Sequence, residues 1–417
     1  MTIWSPVWKV LIDGDELTDA TLSNLSVTSG RTDIFSQPAA GYASINLVNL
    51  SNAVYGWGVN TSVTIEVKNS SGTFVPIFGG SISDINIGVQ NAGSTTVVTN
   101  AAITATGALA KLQKIITPGL LSQDFEGNQI MTLLEQYLAG TWNDVSPALT
   151  WAAYPATTTW NDAENQGIGE IDLPGDYEMI SRSSDNTNLY DLISQIATSA
   201  FGYIYEDASG NIGYADTTHR QDYLAANGYT TLSAGAAAFA GISTTQRIGD
   251  IRNRLILAYN NNGGSSLTTD DLTSQSNYGL YVQQTTWNIK HTADATSLSN
   301  RYLTLRSTPY QRFQSISFDL GNPEIDDADR DALIGIFMGL PVQIENLPTN
   351  IATNGVFQGY VEGWTFRASY NGLQVTFNAS PIAFNQVAIK WNQVSASEAW
   401  NTLSNTLTWE QAIGVVN

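Results

Sequence analysis

Apolar and polar positions alternate in short runs over the first hundred residues. In Tyr42-Ala43-Ser44-Ile45-Asn46-Leu47, the side chains of Ala43, Ile45 and Leu47 share one face. Val63-Thr64-Ile65-Glu66-Val67 alternates in the same way. Lys9-Val10-Leu11-Ile12 runs into an Asp13-Gly14 turn, and Ser70-Ser71-Gly72 turns the chain before a strand over 73–78. Ile85, Ile87 and Val89 share one face of the next strand. A period of two means one dry face and one wet face, hence an antiparallel sheet or barrel. Spacing over 106–114 turns helical and closes this unit at about residue 106.

Residues 107–243 are mixed. Ile130, Leu133, Leu134, Tyr137 and Leu138 predict a helix over 127–138, and Leu189, Leu192, Ile193, Ile196 and Ala197 another over 187–200. A hairpin follows, turning at Ser209-Gly210-Asn211, so this stretch reads as a small α+β unit. Residues 244–383 return to strands, with Leu255, Leu257 and Tyr259 alternating in one and Ile316, Phe318 and Leu320 in another. Helices are expected over 293–305 and 326–338. The second has an acidic first turn (Asp326, Asp327, Asp329) and is ended by Gly339 and Pro341. A last hairpin, 364–368 with 373–379, turns at Asn371-Gly372. The fold class is α+β, mainly β, divided at 1–106, 107–243, 244–383 and 384–417.

A nine-residue repeat overlies this pattern. Trp142, Trp151 and Trp160 form one triplet, within 141–167, and Trp391, Trp400 and Trp409 form another in the C-terminal segment. Nine is neither a heptad nor an even strand step, which favours short extended pieces and turns with each Trp anchoring its repeat. Two roles remain open for the six side chains: packing anchors at assembly contacts, or an exposed aromatic platform for a sugar or a partner chain.

Composition narrows the class. The 417 residues hold no cysteine, which excludes disulfides and Cys-ligated metal centres. Charged residues are only 13%, about half the usual soluble level of roughly 25%, a pattern that fits assemblies and extracellular β-proteins alike. With Lys+Arg 17 against Asp+Glu 37, the net charge of −20 argues against binding nucleic acid through its phosphates. No basic region precedes an apolar run at the N-terminus, and no stretch approaches the ~20 apolar residues of a membrane span.

Reactive chemistry is sparse. His219 and His291 lie in sequence contexts that offer no triad and no His-rich metal site, and both read as structural. Asp13-Gly14-Asp15-Glu16, Asp207 to Asn211 and the acidic run 324–331 read as turns or a helix start rather than calcium loops. Walker A, nucleophile-elbow and dinucleotide patterns are missing. No catalytic residue, cofactor or metal is expected.

The order of motifs resembles the baseplate-hub or tail-tip proteins of tailed bacteriophages, also called minor tail proteins. Three pieces carry the likeness. The first holds Thr28-Ser29-Gly30-Arg31, then Gly41-Tyr42-Ala43-Ser44-Ile45-Asn46-Leu47-Val48-Asn49, and later Ile77-Phe78-Gly79-Gly80-Ser81-Ile82. The second is the helix before the hairpin carrying Asp207 and Gly210. The third holds Asn253-Arg254-Leu255-Ile256-Leu257, Gly339-Leu340-Pro341-Val342-Gln343-Ile344 and Phe357-Gln358-Gly359-Tyr360-Val361-Glu362-Gly363-Trp364. The Arg that usually follows the Tyr-Gly pair is absent after Gly279. The resemblance implies two tail-tube-like antiparallel β-barrels per chain, 1–106 and 244–383, flanking the middle hub domain. It implies a homotrimer in which six barrels match a sixfold tail tube at the virion tail tip or baseplate. The implied partners are the distal tail protein, the tape-measure protein and central tip or fibre proteins, and DNA passes through an acidic channel without specific binding. Ordinary solubility explains the charge equally well. Two competing readings are a hexameric distal tail protein and a carbohydrate-binding or hydrolytic surface protein using the Trp arrays.

Overall fold

The structure is a computed structural model. It describes residues 4–18, 21–32, 34–49, 56–90, 98–138, 167–236, 242–260, 264–309, 312–369 and 372–382. Both Trp arrays and the Asn371 side of the last hairpin turn lie outside the described residues.

Among the described residues, thirteen strands join in one sheet. From one end the order is Asp15–Glu16, Trp8–Ile12, Ser62–Lys68, Phe74–Gln90, Val98–Gly107, Tyr42–Asn49 and Thr21–Gly30. It continues through Phe357–Ser369, Gly372–Pro381 and Arg312–Asp319 to Ser243–Thr245. Pro341–Glu345 pairs the first residues of Phe357–Ser369, and Thr230–Ser233 adds to it in parallel. The dry face is the expected one: Ala43, Ile45, Leu47, Val63, Ile65 and Val67 are all buried. Among the described residues neither half closes into a barrel; the two expected barrels take the form of two halves of this sheet.

The halves repeat one another. In the first, Thr21–Gly30, Tyr42–Asn49, Val98–Gly107, Phe74–Gln90 and Ser62–Lys68 are successive neighbours, all antiparallel. In the second, Ser243–Thr245, Arg312–Asp319, Gly372–Pro381, Phe357–Ser369 and Pro341–Glu345 stand in the same order with the same directions. The chain visits the five positions in the same sequence both times. Each long strand carries a bulge at the corresponding place, between Ile82 and Asp84 and between Val361 and Gly363, opposite Ala105 and Ala379. Two residues before it each has a glycine. A Cβ at Gly80 would meet Thr106 O at 2.3 Å and the Phe78 ring at 2.8 Å, and one at Gly359 would meet Ser380 O at 2.1 Å and the Phe357 ring at 2.8 Å. Only the sixth position differs: Trp8–Ile12 runs antiparallel to its neighbour and Thr230–Ser233 parallel.

One apolar core runs under both halves. A second lies in the middle unit, where helices Glu126–Leu138 and Leu189–Ser199 pack with the Tyr203–Glu206 and Ile212–Ala215 hairpin. Helix Leu189–Ser199 starts at Asn188, whose side chain accepts the Tyr190 and Asp191 N–H groups. Residues 254–306, read from sequence as part of the second barrel, pack into this middle core through Leu255, Leu257, Trp287, Ile289, Leu298 and Leu303. Their strands form a separate three-stranded sheet, Ser265–Asp270, Arg254–Tyr259 and Val282–Thr286, backed by helix Thr292–Arg306. The helix expected over 326–338 spans Asp327–Ile334, with Asp326 capping its start and Gly335 ending it. The strands expected at 73–78 and around 85–89 are one 17-residue strand, Phe74–Gln90.

Candidate functional site at the joint between the sheet halves

The halves meet where Thr21–Gly30 pairs with Phe357–Ser369, in register from Gly363 opposite Gly30 to Ala368 opposite Leu25. The Thr28 and Thr365 hydroxyls touch across this joint at 3.2 Å. Gly30 and Gly363 let the backbones cross closely. A Cβ at Gly30, whose φ is 84°, would lie 2.4 Å from Glu362 O, and one at Gly363 would lie 2.6 Å from Arg31 O.

A buried carboxylate, Glu362, stands at the end of the joint and accepts four hydrogen bonds. Arg31 Nε donates to Oε2 at 2.7 Å, and Arg220 donates from Nη1 to Oε1 at 2.7 Å and from Nη2 to Oε2 at 3.0 Å. Ser380 Oγ donates to Oε1 at 2.5 Å. The Arg31 N–H also binds Glu362 O at 2.8 Å. The Arg220 guanidinium lies 4.4 Å from the Tyr203 ring centroid and 5.5 Å from that of Tyr360, and that of Arg31 lies 5.3 Å from Tyr203. Burial by itself would push the Glu362 carboxyl up; Arg220 and then Arg31 outweigh it and hold the group down at about 2. Burial lowers Arg31, whereas Arg220 is raised because Glu362 more than offsets its burial. The three residues come from the first half, from middle-unit helix His219–Asn227 and from the second half. One carboxylate thus ties three parts of the chain, and removing one partner from such a set typically costs about 3–5 kcal/mol.

A second tie joins the middle hairpin to the first half. Glu206 accepts the N–H of Gly41 and, at 3.0 Å, that of Leu109. Gly41 and Gly107 leave room for it: a Cβ on either would lie 2.2 Å from Glu206 Oε1. Burial pushes this carboxyl up to about 7, against the two N–H donors. Glu126 is likewise pushed up by burial to about 7 while accepting the Asp176 and Tyr177 N–H groups at 2.7 and 2.8 Å.

Each of the two histidines contacts a carboxylate. His219 Nδ1 lies 2.9 Å from Asp172 Oδ2; burial lowers its pKa, but the bond and charge of Asp172 prevail and raise it. With Glu170 these two residues place three ligand atoms within 4.8 Å of one another, the arrangement among the described residues that offers most to a metal ion. His291 Nε2 pairs with Glu178 at the surface. A cavity of about 280 Å³ beside the joint is lined by Arg31, Phe35, Phe201, Trp287, Tyr302 and Arg306.

The six tryptophans expected at assembly contacts, Trp142, Trp151, Trp160, Trp391, Trp400 and Trp409, lie outside the described residues. Sequence reasoning missed the Glu362 tie. Arg31 and Glu362 sat in recognised motifs without a role, and Arg220 sat in none. The available signal was a lone carboxylate inside an apolar strand, between Val361 and Gly363-Trp364.

No family model matches the chain, and no curated protein matches it. Solved structures do. The 43 kDa tail protein of prophage MuSo2 from Shewanella oneidensis superposes with a TM-score of 0.56 at 8% identity, covering 91% of this chain and 99% of that one. The tail protein from Neisseria meningitidis MC58 superposes with a TM-score of 0.55 at 10% identity, covering 91% and 98%. The chain has the fold of these prophage tail proteins over 91% of its length.

Proposed function

We propose that this chain is a structural tail protein of a bacteriophage, a hub at the tail tip or baseplate in which three copies close a ring. The repeated five-strand order carries this reading. Two like units per chain, joined edge to edge, turn a threefold ring into six similar units, the number needed to meet a sixfold tube. A hexameric distal tail ring needs only one unit per chain, so the repeat counts against it.

The charge supports passage of DNA through such a ring. Three copies carry three times −20, or −60, and an acidic lumen repels phosphates rather than holding them. The chemistry at the joint is that of a tie: Glu362 is saturated by guanidinium and hydroxyl donors and has no role for a substrate. The distal tail protein, the tape-measure protein and central tip or fibre proteins are the partners of this role. The six repeat tryptophans anchor contacts to neighbouring chains. Native mass spectrometry of the purified chain tests the reading. Three copies are expected; six copies would favour the distal ring, and a monomer that binds glycans would favour the surface-protein reading.

A further inference from the structure

One residue from Arg220, a strand and a helix bring three metal-ligating side chains to one point. Strand Ile168–Ile171 lies parallel to Ile212–Ala215, and the register shifts between Ile168 and Ile171. Glu170 and Asp172 stand at its end, and the Asp172 N–H continues the pairing by donating to Tyr214 O at 3.1 Å. His219 opens helix His219–Asn227. Asp216 Oδ1 fixes that start by accepting the Thr218 and His219 N–H groups at 2.8 and 2.9 Å. The Asp216 N–H in turn donates to Asp172 Oδ2 at 2.9 Å. Asp172 and His219 are thus set by backbone, on two elements bound to each other.

His219 Nδ1 lies 2.9 Å from Asp172 Oδ2, and an oxygen of Glu170 completes a set whose members all lie within 4.8 Å of one another. Bonds of ~2.0–2.2 Å to a Zn²⁺ ion place neighbouring ligand atoms roughly 3–3.5 Å apart. The spacing of His219 and Asp172 meets that condition closely. Glu170 is exposed and its carboxylate accepts no hydrogen bond among the described residues, so it can close on the other two. The His219 and Asp172 side chains are only 19% and 21% exposed, so a cation there displaces little of their water. Glu170, Asp172 and Asp216 all act on the one imidazole. Among the described residues no Lys or Arg pairs with any of these three acids. A divalent cation supplies the charge the cluster lacks.

We propose that Glu170, Asp172 and His219 form a zinc site that clamps strand Ile168–Ile171 to helix His219–Asn227. An imidazole with two carboxylates suits a borderline ion such as Zn²⁺, whereas Ca²⁺ and Mg²⁺ favour oxygen ligands alone. The role is structural. The same helix supplies Arg220 to the Glu362 joint, so a cation bound at His219 stiffens the element that holds Arg220 in place. His219 reads as an isolated residue in sequence because Asp172 lies 47 positions away. His291 and Glu178 make a similar contact but gather no third ligand among the described residues, which makes them an internal control.

The test is isothermal titration calorimetry of ZnCl2 into the full-length chain after dialysis against EDTA. Saturable binding of one ion per chain is expected, with a rise in melting temperature. Glu170→Gln and His219→Gln should each weaken binding at least tenfold, and His291→Gln should leave it unchanged. Glu170→Gln alters an exposed side chain, so its near-ultraviolet circular dichroism should match that of wild type. Its affinity decides the matter if His219→Gln fails to fold. No saturable binding, equal affinity in wild type and Glu170→Gln, or loss of binding in His291→Gln would overturn the site. Binding of CaCl2 without binding of ZnCl2 would overturn it too, since the imidazole then has no part.

Discussion

Replacing Glu362 by Gln keeps the shape of the side chain and removes its charge. Arg31 and Arg220 then face each other in a buried site with no anion between them. The carboxyl is held at about 2 instead of its ordinary 4.5. At about 1.36 kcal/mol for each pH unit, that difference is worth about 3 kcal/mol, within the range for breaking a buried ion pair. The contribution is fully present above pH 4.5 and is lost as pH falls through 4.5 toward 2, because the protonated carboxyl resembles the amide. Equilibrium urea unfolding of wild type and Glu362→Gln should therefore differ by about 3 kcal/mol at pH 7 and by about 1 kcal/mol at pH 3. A difference below about 1 kcal/mol at pH 7, or an equal difference at both pH values, would refute the assignment of Glu362 as the charged centre of the joint.

Other outcomes follow from the same structure. Glu206→Gln should behave with the opposite sign. Its carboxyl titrates near 7, so wild type loses stability as pH rises from 4.5 to 7, and the variant should gain about 2–3 kcal/mol relative to it between pH 5 and pH 8 in the same assay. Gly80→Ala and Gly359→Ala meet matching obstacles and should each cost about 1–3 kcal/mol, agreeing within about 1 kcal/mol, whereas Gly58→Ala, with open space, should be near neutral. Unequal costs at Gly80 and Gly359 would count against the repeat. Trp400→Ala with Trp409→Ala should impair particle assembly while leaving the melting of the isolated chain unchanged; intact particles from this double variant would remove the assembly role of the second array.

Much of the sheet was legible because its dry face is written at period two. Ile45 and Leu47 in one half and Ile316 and Phe318 in the other read as strand residues and are buried. The duplication entered only through the family resemblance; the structure is what sets Phe78-Gly79-Gly80-Ser81-Ile82 and Phe357-Gln358-Gly359-Tyr360-Val361 at matching bends, where neither Gly80 nor Gly359 has room for a Cβ. Which core a segment joins was not legible. The strand Arg254–Tyr259 alternates like its neighbours, yet it packs into the middle core. Alternation states that a face is dry but not what dries it. The same ambiguity hides the joint: Ile87 and Phe366 look alike in sequence, and only one of them is covered within the chain. The Glu362 tie escaped because its three charged members are separated by more than a hundred residues from one to the next, and a lone carboxylate carries no spacing signal until the strands bring Arg31 and Arg220 to it.

The most direct measurement of the central claim is cryo-electron microscopy of the assembled ring formed by the full-length chain. Three copies around an open channel are expected, with six sheet units related by a pseudo-sixfold axis. A ring of six chains, or three copies whose sheet halves show no pseudo-sixfold relation, would contradict the hub reading.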